Sequence, residues 1–214
     1  MSHAEAWLKE PWSDSQRERD AAKFGIWVFL ASEMLFFGAL LLTYTVCRIE
    51  DPHAFALAGR ETNVWFGTVN TAVLLTSSLT MAVASQAANL DDAPRRLIGL
   101  CLAATALLGV AFLVIKGFEY KEDIEKHLVP GPSFPLAARA SQIFFALYWI
   151  LTVVHAVHLT IGIGLVSRLS GSILLGRLTP YRHPQIEVTA LYWHLVDVIW
   201  IILYPLIYLP GRSL

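Results

Sequence analysis

The sequence predicts an all-α fold, a polytopic membrane bundle of five transmembrane helices. The first observation is composition: of 214 residues, 56% are hydrophobic and only 15% are charged, whereas soluble domains are nearer half apolar and a quarter charged. The second is charge placement, because the charged residues gather between long apolar runs. The third is the length of those runs, since a helix needs about 20 apolar residues to cross a hydrocarbon core of ~30 Å.

Five runs meet this requirement and together form one predicted domain, residues 23–209. Two of them, within 63–88 and 97–115, contain no Asp, Glu, Lys, Arg or His. The predicted spans are residues 24–47, 63–88, 97–118, 140–167 and 188–209, flanked by a polar N-terminal tail (1–22) and a C-terminal tail (210–214).

The segments between the spans are predicted to be loops, the first at 48–62 and the longest, rich in acid and proline, at about 119–139. In the longest loop, Glu119, Tyr120 and Glu122 are expected to form a solvated span end. Most of the aromatic residues near span ends are expected to face lipid or the interface, among them Trp65, Trp149, Trp200 and Tyr208.

Several classes of function and site are disfavoured. The net charge of −1 argues against a nucleic-acid partner, and neither Cys47 nor Cys101 belongs to a CxxC pair or a Cys/His cluster. The polar first 22 residues lack the apolar core of a cleavable signal peptide. Basic residues beside span ends, such as Arg95 and Arg96, favour a cytoplasmic N-terminus.

Small residues indicate close packing between the spans. Thr71, Ser78 and Ser85 recur every seven residues in the second span, and Gly162 and Gly164 lie in the fourth. In lipid, where no hydrophobic force joins helices, such small faces permit close backbone approach.

Glu33 is the ionisable residue of the first span, about ten residues into it. A charge at the bilayer centre costs ~2.5–3.5 kcal/mol or more, so this carboxyl is expected to face protein and to be neutral unless a cation or several donors are close. Two roles stay open: a proton-pathway carboxyl that changes protonation, or a protonated carboxyl that joins two helices.

Two pairs of polar residues occupy the last two spans, His155 with His158 and His194 with Asp197. Each pair is three residues apart and therefore shares one helical face. Imidazole and carboxylate suit Fe, Cu or Zn, so a stand-alone membrane metalloenzyme is an alternative. Hydrogen-bonded packing of these four side chains without a metal is the favoured interpretation.

Five segments resemble subunit III of haem–copper oxidases, that is, of cytochrome c oxidase and the related quinol oxidases. They are FGIWVFLASEMLFFGALLLTY (24–44), NTAVLLTSS (70–78), FEY (118–120), HAVHLTIG (155–162) and YWHLVDVIWIILYPLIYL (192–209). They occur in the family's order and cover nearly the whole chain, which is similar to the short, five-helix form.

The resemblance implies a subunit of a proton-pumping terminal oxidase in a bacterial inner membrane, without a catalytic site of its own. Family members bind no haem or copper, lie beside the catalytic subunit I and other oxidase subunits, hold phospholipid, sustain proton uptake and protect the enzyme from inactivation during turnover. The family's buried, carbodiimide-reactive carboxyl corresponds to Glu33. Its paired-histidine helix corresponds to His155 and His158, and its Trp-His-x-x-Asp helix to Trp193, His194 and Asp197.

Two departures from the family pattern matter. Thr152-Val153-Val154-His155-Ala156 stands where relatives have Thr-Gly-x-His-Gly, which alters the packing of the fourth span. Quinol-oxidase relatives tend to have Asp at the position of Glu33, so the chain is expected to serve a cytochrome c-linked enzyme. A quinol oxidase subunit III and an accessory subunit of nitric oxide reductase are the alternatives within the same superfamily.

Overall fold

The computed structural model describes residues 15–90, 93–132, 134–136, 138–181 and 184–212, without the side chains of residues 15–19 and 22. Within these ranges the chain forms six helices and no strand. They are α1 (Ser15–Glu50), α2 (Pro52–Glu61), α3 (Val64–Ala88), α4 (Arg95–Glu125), α5 (Arg139–Leu174) and α6 (Pro184–Tyr208). All except α2 are long and apolar enough to cross a membrane, which confirms the predicted all-α bundle of five spans.

The helices extend into segments that the sequence predicts to be tail or loop. Helix α1 begins at Ser15, inside the predicted N-terminal tail, whose residues 1–14 lie outside the described residues. Helix α4 runs on to Glu125, so the longest loop begins later than residue 119. Side-chain pairs at i and i+4 accompany this last turn: Lys121 lies 3.8 Å from Glu125, and Lys126 lies 2.6 Å from Glu122.

The first predicted loop (48–62) is mostly helical, since it contains α2. The Asp51 carboxylate accepts a hydrogen bond from the backbone N–H of Ala54 at 3.0 Å, and Pro52 occupies the first turn. Both are favourable at a helix start, because the cap satisfies a free N–H and proline has none to satisfy. The aromatic ring of Phe55 then fixes α2 against the bundle, meeting Phe144 of α5 edge to face at 5.5 Å.

Helices α3, α4, α5 and α6 form the centre of the bundle, and α1 packs against α5, α6 and α2. In the most apolar 18-residue stretch of α6, 56% of the residues are buried, whereas in that of α1 only 17% are. Helix α1 is therefore a peripheral helix, and its buried stripe (Ile26, Leu30, Phe37 and Tyr44) faces the rest of the protein.

The interface between α3 and α6 depends on small and hydroxyl residues of α3, as the sequence predicts. A Cβ atom on Gly67 would lie 2.9 Å from ring atoms of Tyr208. Thr71 accepts a hydrogen bond from the Trp200 indole at 3.1 Å. Gly162 makes a similar close approach on α5, where a Cβ would lie 3.2 Å from Trp193, but the space beside Gly164 is open, so the prediction is wrong for Gly164.

Two of the aromatic residues that the sequence places in lipid lie inside the bundle. Trp200 and Tyr208 are each 0% exposed, whereas Trp65 is 79% exposed. Hydrogen bonding explains the difference, since the Trp200 N–H and the Tyr208 O–H both have protein partners and a buried aromatic residue needs such a partner for its polar atom.

The end of the chain folds back onto α2. The Arg212 guanidinium donates to the carbonyl oxygens of Gly59 (3.1 Å), Arg60 (2.8 Å) and Thr62. In return, Arg60 Nε donates to the carbonyl of Gly211 at 2.7 Å. These bonds satisfy carbonyl groups that the end of a helix leaves without partners.

Candidate functional site: a carboxyl–imidazole pair inside the membrane

Glu33 and His158 are the two predicted site residues that the fold brings into contact. Glu33 lies on the face of α1 that packs against α5, and its Oε2 is 3.0 Å from His158 Nε2. The other ring nitrogen, Nδ1, lies 2.9 Å from the carbonyl oxygen of Val154, one turn earlier on α5. Since a carbonyl only accepts, Nδ1 carries a proton in this arrangement.

One proton therefore determines the chemistry of the pair. With Nδ1–H donated to Val154, Nε2 either has a lone pair that accepts a proton from Glu33, or carries a proton that faces the carboxylate. Glu33 Oε2 and His158 Nε2 are within contact distance but are not aligned as in a complete hydrogen bond. Glu33 Oε2 has no other partner among the described residues. The site can thus exchange a proton between oxygen and nitrogen with little movement.

The surroundings of the pair are aromatic and only partly closed. The ring of Phe37 meets the His158 ring edge to face at 5.4 Å, and the Tyr192 hydroxyl donates to the His158 carbonyl at 2.9 Å. The side chains of Glu33 and His158 keep exposures of 16% and 18%. The pair therefore lies at the side of the bundle and is not fully enclosed by the described helices.

The other three predicted residues lie in other environments. His194 Nδ1 lies 2.8 Å from the Ser78 hydroxyl across the α3–α6 interface. His155 is 1% exposed and packs against Trp200, with a ring-centroid distance of 5.1 Å. Asp197 is 3% exposed and faces the same Ser78 side chain as His194 does, whereas the His155 nitrogens have no hydrogen-bond partner among the described residues.

This distribution gives the metalloenzyme alternative no geometric basis. His158 faces Glu33 on α1, whereas His194 faces Ser78 on α3. Across the described part of the chain, no group of three or more His, Cys, Asp or Glu side chains is arranged to hold a metal ion.

Sequence reasoning missed a second polar group, at the far end of α4. The residues expected to form a solvated span end include Glu119, but Glu119 is 1% exposed and its Oε2 lies 3.1 Å from Lys116 Nζ. The spacing of Lys116, Glu119 and Asp123 by three and four residues was the available signal, because it places all three on one helical face. The prediction failed because the acid-rich composition of this stretch suggested solvent.

The sequence profile of the family described as cytochrome c oxidase subunit III matches residues 13–212. The chain belongs to the cytochrome c oxidase subunit III family. The match covers all five membrane spans and therefore includes Glu33 and His158.

Individual members of the subunit III family carry names of more than one kind of oxidase. The chain is 30% identical over 98% of its length, and 98% of the relative's, to a cytochrome c oxidase subunit 3 of Bacillus sp. strain PS3. It is 27% identical, over 88% of its length and 89% of the relative's, to a probable quinol oxidase subunit 3 of Staphylococcus haemolyticus. It is also 28% identical to a heme-copper oxidase subunit I+III of Aeropyrum pernix, over 89% of the chain but 23% of that longer protein.

Proposed function

We propose that this chain is the non-catalytic third subunit of a proton-pumping terminal oxidase that takes electrons from cytochrome c and reduces oxygen. It stabilises the haem- and copper-bearing catalytic subunit, binds phospholipid and supports proton uptake. Membership of the subunit III family and the fused subunit I+III relative support the partnership with subunit I. A purified complex that oxidises quinol but not reduced cytochrome c would contradict the electron donor.

The contact between Glu33 and His158 is the observation that carries the role in proton uptake. The carboxyl and the imidazole lie 3.0 Å apart inside the predicted span, close enough for a proton to pass from one to the other, and imidazole can carry a proton on either ring nitrogen. The partial exposure of Glu33 would also admit a hydrophobic carbodiimide, so reaction of Glu33 with such a reagent is expected. The proposal includes a bacterial inner membrane with the N-terminus in the cytoplasm, and in that orientation the pair lies nearer the side from which protons are taken up.

Glu33→Gln is expected to shorten the active lifetime of the oxidase during turnover without changing its haem absorption spectrum. The amide keeps the size of the carboxyl but cannot exchange a proton, so the supply of protons slows. The measurement is oxygen consumption with reduced cytochrome c, followed until the enzyme inactivates.

Glu50→Gln is the matched control, since Glu50 is an exposed carboxyl at the end of the same helix. That variant should behave as the unmodified enzyme does. A turnover lifetime in Glu33→Gln equal to that of the control would leave Glu33 with a packing role only.

A cavity at the N-terminal end of α1 supports the lipid-binding part of the proposal. It has a volume of about 610 Å³ and lies between α1, the end of α5 and the start of α6. Apolar side chains such as Ile26 and Leu165 line it together with two arginines, Arg168 and Arg177. A guanidinium beside an apolar cleft suits a phosphate headgroup with an attached acyl chain.

Replacing both Arg168 and Arg177 with Gln is expected to release one tightly bound phospholipid from the purified oxidase, because the phosphate loses its cationic partners. Native mass spectrometry or phosphorus analysis per haem would measure the loss. Arg139→Gln is the control, as Arg139 is exposed at the opposite end of α5. Equal phospholipid content in all three proteins would exclude this cavity as a lipid site.

A further inference from the structure

Lys116, Glu119 and Asp123 place three ionisable side chains inside the bundle at the end that carries α2. All three are at most 3% exposed. Asp123 is nearest to the helix end at Glu125, and Lys116 lies seven residues further in, which at 1.5 Å per residue is about 10 Å. The group thus extends from the rim of the bundle into its apolar interior.

Among the described residues, this group has one buried cation, Lys116, for two buried carboxyls. The ionisable side chains around it are Lys116, Glu119, Tyr120 and Asp123 of α4, Tyr148 and His155 of α5, and Tyr208 of α6. Helix α3 has no Asp, Glu, Lys, Arg or His, and those of α2 are exposed. The nearby Lys126 binds Glu122 on the surface at 2.6 Å and attracts the Asp123 carboxylate from outside the group. With both carboxyls ionised the buried group would carry a net negative charge, which is costly away from water.

The hydrogen bonds show where an added proton would go. Tyr148 Oη lies 2.6 Å from Asp123 Oδ2 and 3.1 Å from Glu119 Oε1. A phenol has one proton and can donate to only one of these carboxyls. The second contact becomes a hydrogen bond only when a carboxyl proton is present to be donated to the phenol oxygen.

The protons of Lys116 and Tyr208 already face other atoms of the group. Lys116 Nζ lies 3.1 Å from Glu119 Oε2, 3.1 Å from Tyr148 Oη and 2.7 Å from Tyr208 Oη. Tyr208 in turn donates to Glu119 Oε1 at 2.6 Å. Two ammonium protons and the Tyr208 proton therefore have hydrogen-bond acceptors, and the ammonium faces Glu119 Oε2 in an ion pair without hydrogen-bond alignment. One additional proton would both complete the contacts of Tyr148 and make the group neutral.

We propose that Lys116, Glu119, Asp123 and Tyr148 form a site that binds one exchangeable proton, shared by the two carboxyls and taken up past Asp123 from the aqueous phase at the α2 end. Among the described residues the line of hydrogen bonds ends at Lys116, and neither nitrogen of the buried His155 has a hydrogen-bond partner. The site is distinct from the pair formed by Glu33 and His158.

The test is infrared absorption of protonated carboxyl groups in the purified oxidase, recorded across a pH titration. All samples carry Glu33→Gln, so that Glu33 contributes nothing, and haem absorption verifies assembly. The parent protein should show one protonated carboxyl that is lost as the pH rises. Asp123→Asn and Glu119→Gln should each abolish that signal, because the one carboxylate left is balanced by Lys116. Glu125→Gln, which changes an exposed carboxyl of the same helix, should leave it unaltered.

A signal unchanged in both Asp123→Asn and Glu119→Gln would overturn the proposal, and so would its loss in only one of them. If either variant does not assemble, Tyr148→Phe provides a second test. This change keeps both carboxyls but removes the bridging phenol, so the frequency of the carboxyl band should shift. An unshifted band in Tyr148→Phe would also overturn the proposal.

Discussion

Lys116→Met is expected to destabilise the bundle by about 3–5 kcal/mol, the usual cost of removing one partner from a buried ion pair. The ammonium is bonded to Glu119 and to two tyrosines, and it also lies 4.7–5.6 Å from the ring centroids of four aromatic residues, Tyr120, Tyr148, Trp200 and Tyr208. Methionine keeps the length of the side chain but leaves Glu119 and Asp123 without a cation. Equilibrium unfolding in mixed micelles with dodecyl sulfate would measure the change.

The double variant Lys116→Met with Glu119→Gln is the control for this prediction. It removes both charges of the pair, and neutralised pairs are often no less stable than the ion pair they replace. Part of the lost free energy of unfolding should therefore return, because Asp123 is then the one carboxyl of the group left without Lys116. If the single variant were as stable as the unmodified chain, the ion pair would contribute nothing to the fold.

Trp200→Ala is expected to cost about 3–5 kcal/mol, the range for truncating a large buried aromatic side chain. The Trp200 ring is 0% exposed and meets Phe112 edge to face at 4.7 Å. Alanine would leave a cavity between α4, α5 and α6, and Thr71 would lose the indole N–H. The same unfolding measurement would determine the loss.

Trp65→Ala provides the comparison, because Trp65 has the same side chain but is 79% exposed. Its truncation opens no cavity and should change the free energy of unfolding by about 0.5 kcal/mol or less. Equal effects of the two substitutions would contradict the burial of Trp200 and favour the lipid-facing position that the sequence suggests.

The fold class and the pair at Glu33 illustrate how far sequence reasoning reaches. Long runs without charged residues predict membrane spans reliably, because placing a charged side chain in lipid costs free energy whereas placing an apolar one does not. The same rule makes Glu33 and the intramembrane histidines conspicuous. It does not choose a partner for Glu33, since His155, His158 and His194 all qualify by chemistry.

The sequence-based predictions that were wrong concern how α6 is rotated and how far α4 extends, together with the short helix α2. Trp200 and Tyr208 have the composition of interfacial aromatics, but the rotation of α6 turns them towards α3 and α4. Helix α2 is too short to be recognised as a span, and it forms because Asp51 caps it and Phe55 packs against Phe144. Glu119 belongs to an acid-rich stretch, but α4 continues past it and carries it into the bundle.

The amino-acid order alone establishes five spans, their sequence along the chain and the polar groups that must lie within them, because the free energy of placing each side chain in lipid depends on that side chain. Which polar groups meet depends on how the helices rotate and pack. Only that packing brings His158 to Glu33 and closes Tyr148 and Tyr208 around Lys116, since contacts between side chains far apart in the chain depend on geometry that no local pattern encodes.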